Sequence, residues 1–162
     1  RAEPAIANGM VTFTTRFGFA DEVTQLYAGD LQGNLWKLDF SKAGISNWNL
    51  NKLSYFNDGQ TTPTAIPMYV AKDGAANLQP ITMPPFLAYG PNRTLIVAFG
   101  TGKYLETDDN SGPFHTQSVY ALLDNNSATA DSASPPAAIA GRGRLQTATA
   151  NSDGTITSSA FA

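Results

Sequence analysis

The stretch LYAGDLQGNLWKLDF, residues 26–40, constrains this chain more than any other. Two apolar runs, 26–28 and 35–40, flank a polar centre built from Gly29, Asp30, Gln32, Gly33 and Asn34. Glycine takes a positive φ cheaply, and Asp and Asn side chains bond the backbone of tight turns, so this centre predicts a sharp reversal. On the returning strand the two-residue period places Trp36, Leu38 and Phe40 on one face, where they are expected to pack between neighbouring sheets. The local unit is therefore a β-hairpin.

The same logic extends along the chain. MVTFTTRF at 10–17 alternates Val11, Phe13 and Thr15 with Met10, Thr12 and Thr14 and predicts a strand, with a turn at the Asn-Gly pair of 8–9. Residues 41–64 read mostly as loop, with one short strand at KLSYF, 52–56, and a further strand is expected over 65–71, ending at KDGAAN. The next strand starts after Pro84 and Pro85, because proline donates nothing to a ladder. It turns through Gly90, Pro91 and Asn92 into TLIVAFGTGKYLE, the most apolar strand of all. A last hairpin in 145–161 turns at Asp153 and Gly154. The run NNSATADSASPPAAIAGRGR, about 125–142, is low in complexity and is expected as an exposed loop.

Only 14% of residues are charged, against roughly 25% in ordinary soluble domains. Small polar residues, glycine and proline stand in their place, which is the balance of a loop-rich β protein. With a net charge of −3 the chain offers no basic field for a phosphate backbone, so nucleic acid is excluded as a partner class. No apolar run approaches the length of a membrane span, and the first ten residues lack a signal-peptide core, so an exported protein would be met here as a mature chain or a fragment. Cysteine is absent and His115 is the single histidine, which removes disulfides, thiolate sites and histidine metal clusters together.

A repeat adds the architecture. LYAGDLQGNLWKLDF and the pair IVAFGTGKYLE, QSVYALLDN share an apolar strand, a small-residue stretch and an aromatic strand ending on Leu-Asp or its near equivalent. Repetition of this kind predicts an all-β fold of β-propeller blades, quinoprotein-like in pattern, with residues 1–162 supplying about three blades of a single domain.

Five strings in order, YAGDLQGNLWKLDF at 27–40, QPITMPP at 79–85, FGTGKYLE at 99–106, QSVYALLDN at 117–125 and GRLQ at 143–146, resemble the C-terminal β-propeller of the PilY/PilC family of type IV pilus tip-associated adhesins. The resemblance implies a bacterial protein exported through the periplasm to the pilus tip or cell surface. It implies pilin-like subunits as partners, support of pilus assembly and retraction control, and attachment to host or abiotic surfaces. Two other uses of such blades compete: a dehydrogenase of the quinone-dependent (PQQ) type, and a periplasmic assembly scaffold. The family's calcium loop precedes the Tyr-Ala-Gly-Asp strand, where this chain has only Asp21 and Glu22, too few carboxylates for a cation that wants six to eight oxygens.

Among individual residues, Asp108, Asp109 and Asn110 form a second candidate calcium cluster beside Asp21; a solvated turn is the alternative reading. Trp48, Tyr55 and Phe114 lie in loop-rich segments and are candidates for exposed partner contacts, while Trp36, Tyr104 and Tyr120 are expected in the core. FGTGK at 99–103 departs from a phosphate loop at Val97 and Tyr104, where Gly and Ser or Thr are needed. There is no Gly-x-Ser-x-Gly elbow. Asp30 and Asp39 read as turn and strand-end residues and His115 as a surface residue, so no catalytic residue is assigned and the chain is read as a binding module.

Overall fold

A computed structural model describes residues 10–18, 20–41, 44–90, 94–124 and 138–158, with side chains from residue 12 onward. Strands β1 (Met10–Phe17), β2 (Val23–Asp30), β3 (Asn34–Asp39) and β4 (Tyr69–Val70) form an antiparallel sheet in that order. A second sheet orders β5 (Phe86–Tyr89), β6 (Leu95–Gly100) and β7 (Val119–Asp124), and β8 (Ala148–Ala150) with β9 (Ile156–Ser158) makes a separate hairpin. Matching β2–β3 to β6–β7 reproduces the sequence repeat.

The opening hairpin closes around Asp30. Its Oδ1 accepts from the backbone N–H groups of Gln32 and Asn34, both at 2.9 Å. Its Oδ2 accepts from Asn34 Nδ2 at 2.8 Å and from the Trp36 indole at 3.1 Å. Four donors explain how a fully buried carboxylate is held there. Gly33 sits at φ 78°, and a Cβ on it would lie 2.6 Å from the Gln79 carbonyl oxygen and 2.8 Å from that of Ala71. Conformation and space both demand glycine at that point.

The two larger sheets stack face to face. Tyr27, Leu35 and Tyr69 of the first meet Val97, Phe99, Tyr120 and Leu122 of the second in one buried cluster. The ring of Tyr120 lies 5.2 Å from Tyr69 and stacks on Phe99 at the same distance. This corrects the expectation for Trp36, Leu38 and Phe40, none of which joins that cluster. Strand alternation puts Leu35 and Lys37 on the intersheet side, and Trp36 is buried on the opposite face, tied to Asp30.

An ion pair crosses the interface. Lys37 Nζ is 2.7 Å from Asp124 Oδ2, both side chains being buried, and the Tyr27 hydroxyl donates to the same oxygen at 2.6 Å. The ammonium also lies 3.9 Å from the centre of the Tyr55 ring. Burial pulls the Lys37 pKa below its ordinary value, against the bond its ammonium gives to Asp124. Burial likewise pushes the Tyr27 phenol well up, reinforced by the Asp124 charge, so that it stays a donor.

Several local expectations change. The segment at 52–56 is not a strand: α1 (Leu50–Leu53) forms because Asn49 caps it, accepting from Lys52 N at 3.1 Å, and only Ser54 bridges to Leu38. The strand expected over 65–71 shrinks to the two residues of β4, since the chain must leave the sheet edge to form the turn at 73–77. After β6 the backbone leaves the sheet, and Tyr104 is 75% exposed instead of packed. The end of the low-complexity run is docked, not free. Ile139 N donates to Met68 O at 2.8 Å, and Ala138, Ile139 and Leu145 pack on the core. The turns expected at 8–9 and 91–92 and most of that run, 125–137, lie outside the described residues.

The second sheet keeps one face uncovered. Register places Phe86, Val119 and Leu123 on it with Ala88, Ile96, Ala98 and Ala121; Phe86, Val119 and Leu123 are exposed and Ile96 is half-buried.

Candidate functional site

Two loop regions carry the exposed groups a partner could meet. The first leaves the end of β3 and passes through a 3-10 turn at Ile45–Asn47 and α1. Between these elements lies a half-open cleft of about 260 Å³ lined by Asp39, Asn47, Asn51, Lys52, Ser54, Tyr55, Asn57 and Pro63. Its side chains are oriented by bonds at one end. Asp39 Oδ1 accepts from the Ser41 backbone and hydroxyl, Asn51 Oδ1 from Ala65 N at 3.0 Å, and Asn57 Oδ1 from Gly59 N at 3.0 Å. Lys52 Nζ donates to Ser46 O at 3.2 Å. Beside Asn47 in sequence, Trp48 is 63% exposed and meets Phe40 edge-on, with ring centres 5.8 Å apart. Tyr55 departs from the exposed set: it is 5% exposed, packs edge-on against Phe56 and forms part of the cleft wall.

The second region is the excursion between β6 and β7. Phe114 is 74% exposed there, and His115 lies on the surface beside it. Asp108, Asp109 and Asn110 occupy a 3-10 turn at Thr107–Asn110. Asp109 is already engaged: its Oδ2 accepts from Leu105 N at 2.7 Å and Glu106 N at 2.9 Å, and its Oδ1 lies 3.1 Å from Lys103 Nζ. The Lys103 ammonium also bonds Glu106, so a cationic side chain stands among these carboxylates. Those backbone donors, Leu105 first, hold the Asp109 pKa below the usual range, and the bond to Glu106 raises that of Lys103. Asp21 is elsewhere, in the β1–β2 turn at φ 59°. Among the described residues no group of three or more His, Asp or Glu side chains is placed to hold a metal.

The FGTGK segment has no phosphate-cradling geometry. Gly102 N donates to Pro80 O at 2.8 Å, and among the described residues no α-helix follows it. Nor do Asp30 and Asp39 form a carboxylate pair for chemistry, since each is tied into its own turn.

Three features escaped the sequence reading: the cleft, the Lys37–Asp124 pair and Arg142. The Arg142 guanidinium donates to the Tyr120 hydroxyl at 2.8 Å, Ser118 Oγ at 3.1 Å and Lys72 O at 3.2 Å. Gln79 meets the same group, donating to Thr116 O and Ser118 Oγ and accepting from Tyr120. Only the apolar setting of Lys37, between Trp36 and Leu38 on a strand, hinted at any of these.

Comparison with known proteins adds the lineage. The PilY1 beta-propeller domain family matches residues 7–161. Type IV pilus biogenesis factor PilY1 of Pseudomonas aeruginosa PAO1 is 36% identical over 143 residues, covering 83% of this chain and 12% of that protein. The PilY1 homolog of Xylella fastidiosa is 33% identical over 105 residues, 65% of this chain and 7% of that protein. The crystal structure of the P. aeruginosa PilY1 C-terminal domain superposes with a TM-score of 0.61 at 28% identity, covering 85% of this chain and 30% of that one. The chain therefore spans a small part of the relatives it matches. An all-β fold forming part of a β-propeller, as the repeat predicted, is what these matches describe.

Proposed function

The chain belongs to the PilY1 β-propeller domain family, and from that membership we propose that it is a non-catalytic binding module of a type IV pilus biogenesis factor. The observation that carries this reading is the family match across residues 7–161. In the proposal the protein is exported through the periplasm to the pilus tip or cell surface, where it meets pilin-like subunits and supports assembly and retraction control. Its loops attach to host or abiotic surfaces, with Trp48 and Phe114 as the exposed contacts. The uncovered face of Phe86, Val119 and Leu123 is assigned to the next blade, because an apolar sheet face of this kind calls for a cover.

Two properties complete the reading. Asp108, Asp109 and Asn110 hold no calcium, because Lys103 already supplies the cation and backbone N–H groups occupy Asp109. Calorimetric titration with calcium is expected to give no saturable heat from this loop; heat that Asp108→Asn abolishes would restore the site. The domain carries no quinone, so the purified protein is expected to be colourless, and a bound-cofactor absorbance band would instead favour the dehydrogenase class.

The deciding experiment uses a piliated bacterium that expresses the whole protein. Deleting this domain is expected to reduce surface pili in sheared fractions. Replacing Trp48 and Phe114 together with alanine is expected to leave pili in place and to lower attachment. Normal piliation after domain deletion would refute the assembly role, and normal attachment by the double variant would refute the loop assignment.

A further inference from the structure

We propose that the cleft beside α1 is a binding site for a neutral sugar, with Trp48 as its stacking face. A sugar hydroxyl both donates and accepts, so a site for it must present both kinds of group in fixed positions. This cleft does so. Because Asn51 and Asn57 each commit Oδ1 to a backbone N–H, each keeps Nδ2 as a donor of settled orientation. Asp39 commits Oδ1 to Ser41 and keeps Oδ2 as an acceptor, and Lys52 has N–H bonds beyond the one it gives Ser46.

Charge narrows the ligand class. Asp39 and Lys52 bring one unit of each sign to the same cleft, so neither an anion nor a cation is selected. Size narrows it further: about 260 Å³ lies below the roughly 300 Å³ at which sites for drug-sized ligands begin, which suits a single pyranose unit. Tyr55 and Pro63 give the lining a small apolar wall, and Trp48, which follows the lining residue Asn47 and packs on Phe40 next to Asp39, offers a broader surface at the rim for the C–H face of the ring. It is exposed yet held edge-on by Phe40, so less ordering remains to be done on binding.

This inference rests on the attachment reading above for its biological purpose and on the cleft alone for its chemistry. The test is titration of the purified protein with glucose, galactose, mannose and N-acetylglucosamine, with glucuronate as the anionic control, read by calorimetry and tryptophan fluorescence. At least one neutral sugar is expected to bind saturably. Trp48→Ala is expected to weaken that binding by about tenfold, the scale of one lost aromatic contact. Lys52→Ala should weaken it as well, and Tyr104→Ala, at an exposed ring outside the cleft, should not. Trp48 and Lys52 lie at the surface, so both variants are expected to keep the wild-type melting curve. Absence of saturable binding by every neutral sugar, stronger binding of glucuronate, or binding indifferent to both Trp48→Ala and Lys52→Ala overturns the site. If sugars fail to bind but Trp48→Ala still lowers attachment, the sugar is discarded and the attachment reading stands. If sugars bind and Trp48→Ala leaves attachment unchanged, the cleft stands and the attachment reading falls.

Discussion

The turns that follow Asp30 and Asp73 share one hydrogen-bond skeleton and differ in what surrounds it. In each, the aspartate Oδ1 accepts from the backbone N–H groups two and four residues on, and Oδ2 accepts from the Nδ2 of an asparagine four residues on, at 2.8 Å in both. In each, the third residue on donates its N–H to the aspartate carbonyl at 3.1 Å and takes a positive φ, 78° at Gly33 and 69° at Ala76. The first turn joins two long strands and gains the Trp36 indole as a further donor. The second caps a single bridge between Lys72 and Leu78. The Asp-x-x-x-Asn pattern thus makes the turn by itself, while the surroundings decide whether glycine is obligatory within it. Carbonyl oxygens crowd Gly33, whereas Ala76 is exposed and carries its Cβ at the cost of an unfavourable backbone region.

That contrast can be tested by substitution. The largest effect is expected from Asp30→Ala, which strands buried donors and should cost about 4–5 kcal/mol in urea unfolding. Asp73→Ala should cost clearly less, and equal losses would break the comparison. Gly33→Ala comes next at about 2–4 kcal/mol, from left-handed strain plus the steric clash. A midpoint unchanged by Gly33→Ala would show that the neighbouring carbonyls move aside freely.

The acid response should distinguish the turns more finely. The Asn77 side chain, followed by the Asn77 and Ala75 backbone N–H groups, holds the Asp73 carboxyl below the usual range. A folded pKa below the unfolded value near 3.9 means that the turn is fully supported above about pH 4–5 and weakens as pH falls through the folded pKa. Amide exchange at Ala75 and Asn77 should accelerate in that acid window and lose its pH-dependent opening in Asp73→Asn. The smallest effect is Ala76→Gly, expected to stabilise by about 0.5–1 kcal/mol through relief of the positive φ. Any loss of stability there would mean that the Ala76 methyl makes contacts of its own.

Much of this was legible in the residues because it is local. Asp30, Gly33 and Asn34 announce a turn, alternation announces β1, and Pro84 and Pro85 delay β5 to Phe86. The Asp73 turn was harder to see because alanine stands where glycine was the signal. At KLSYF, β-favouring Tyr55 and Phe56 outweighed the Asn49 cap, which is a single side chain three residues earlier. The sites were less legible than the strands. The cleft gathers Asp39, Asn51 and Asn57 from three segments, and Arg142 reaches Tyr120 from a run whose composition suggested only solvent. Tertiary placement decides such groups, and residue spacing carries no record of it.

The ion pair between Lys37 and Asp124 has a consequence for how a ring of similar sheets sorts itself out during folding. Apolar faces alone would accept several neighbours with little preference. A buried ammonium on one sheet and a carboxylate on the next make them recognise each other, since any other partner would leave a charge in the interior without its counterpart. Among look-alike blades, one lysine and one aspartate serve as a mark of adjacency.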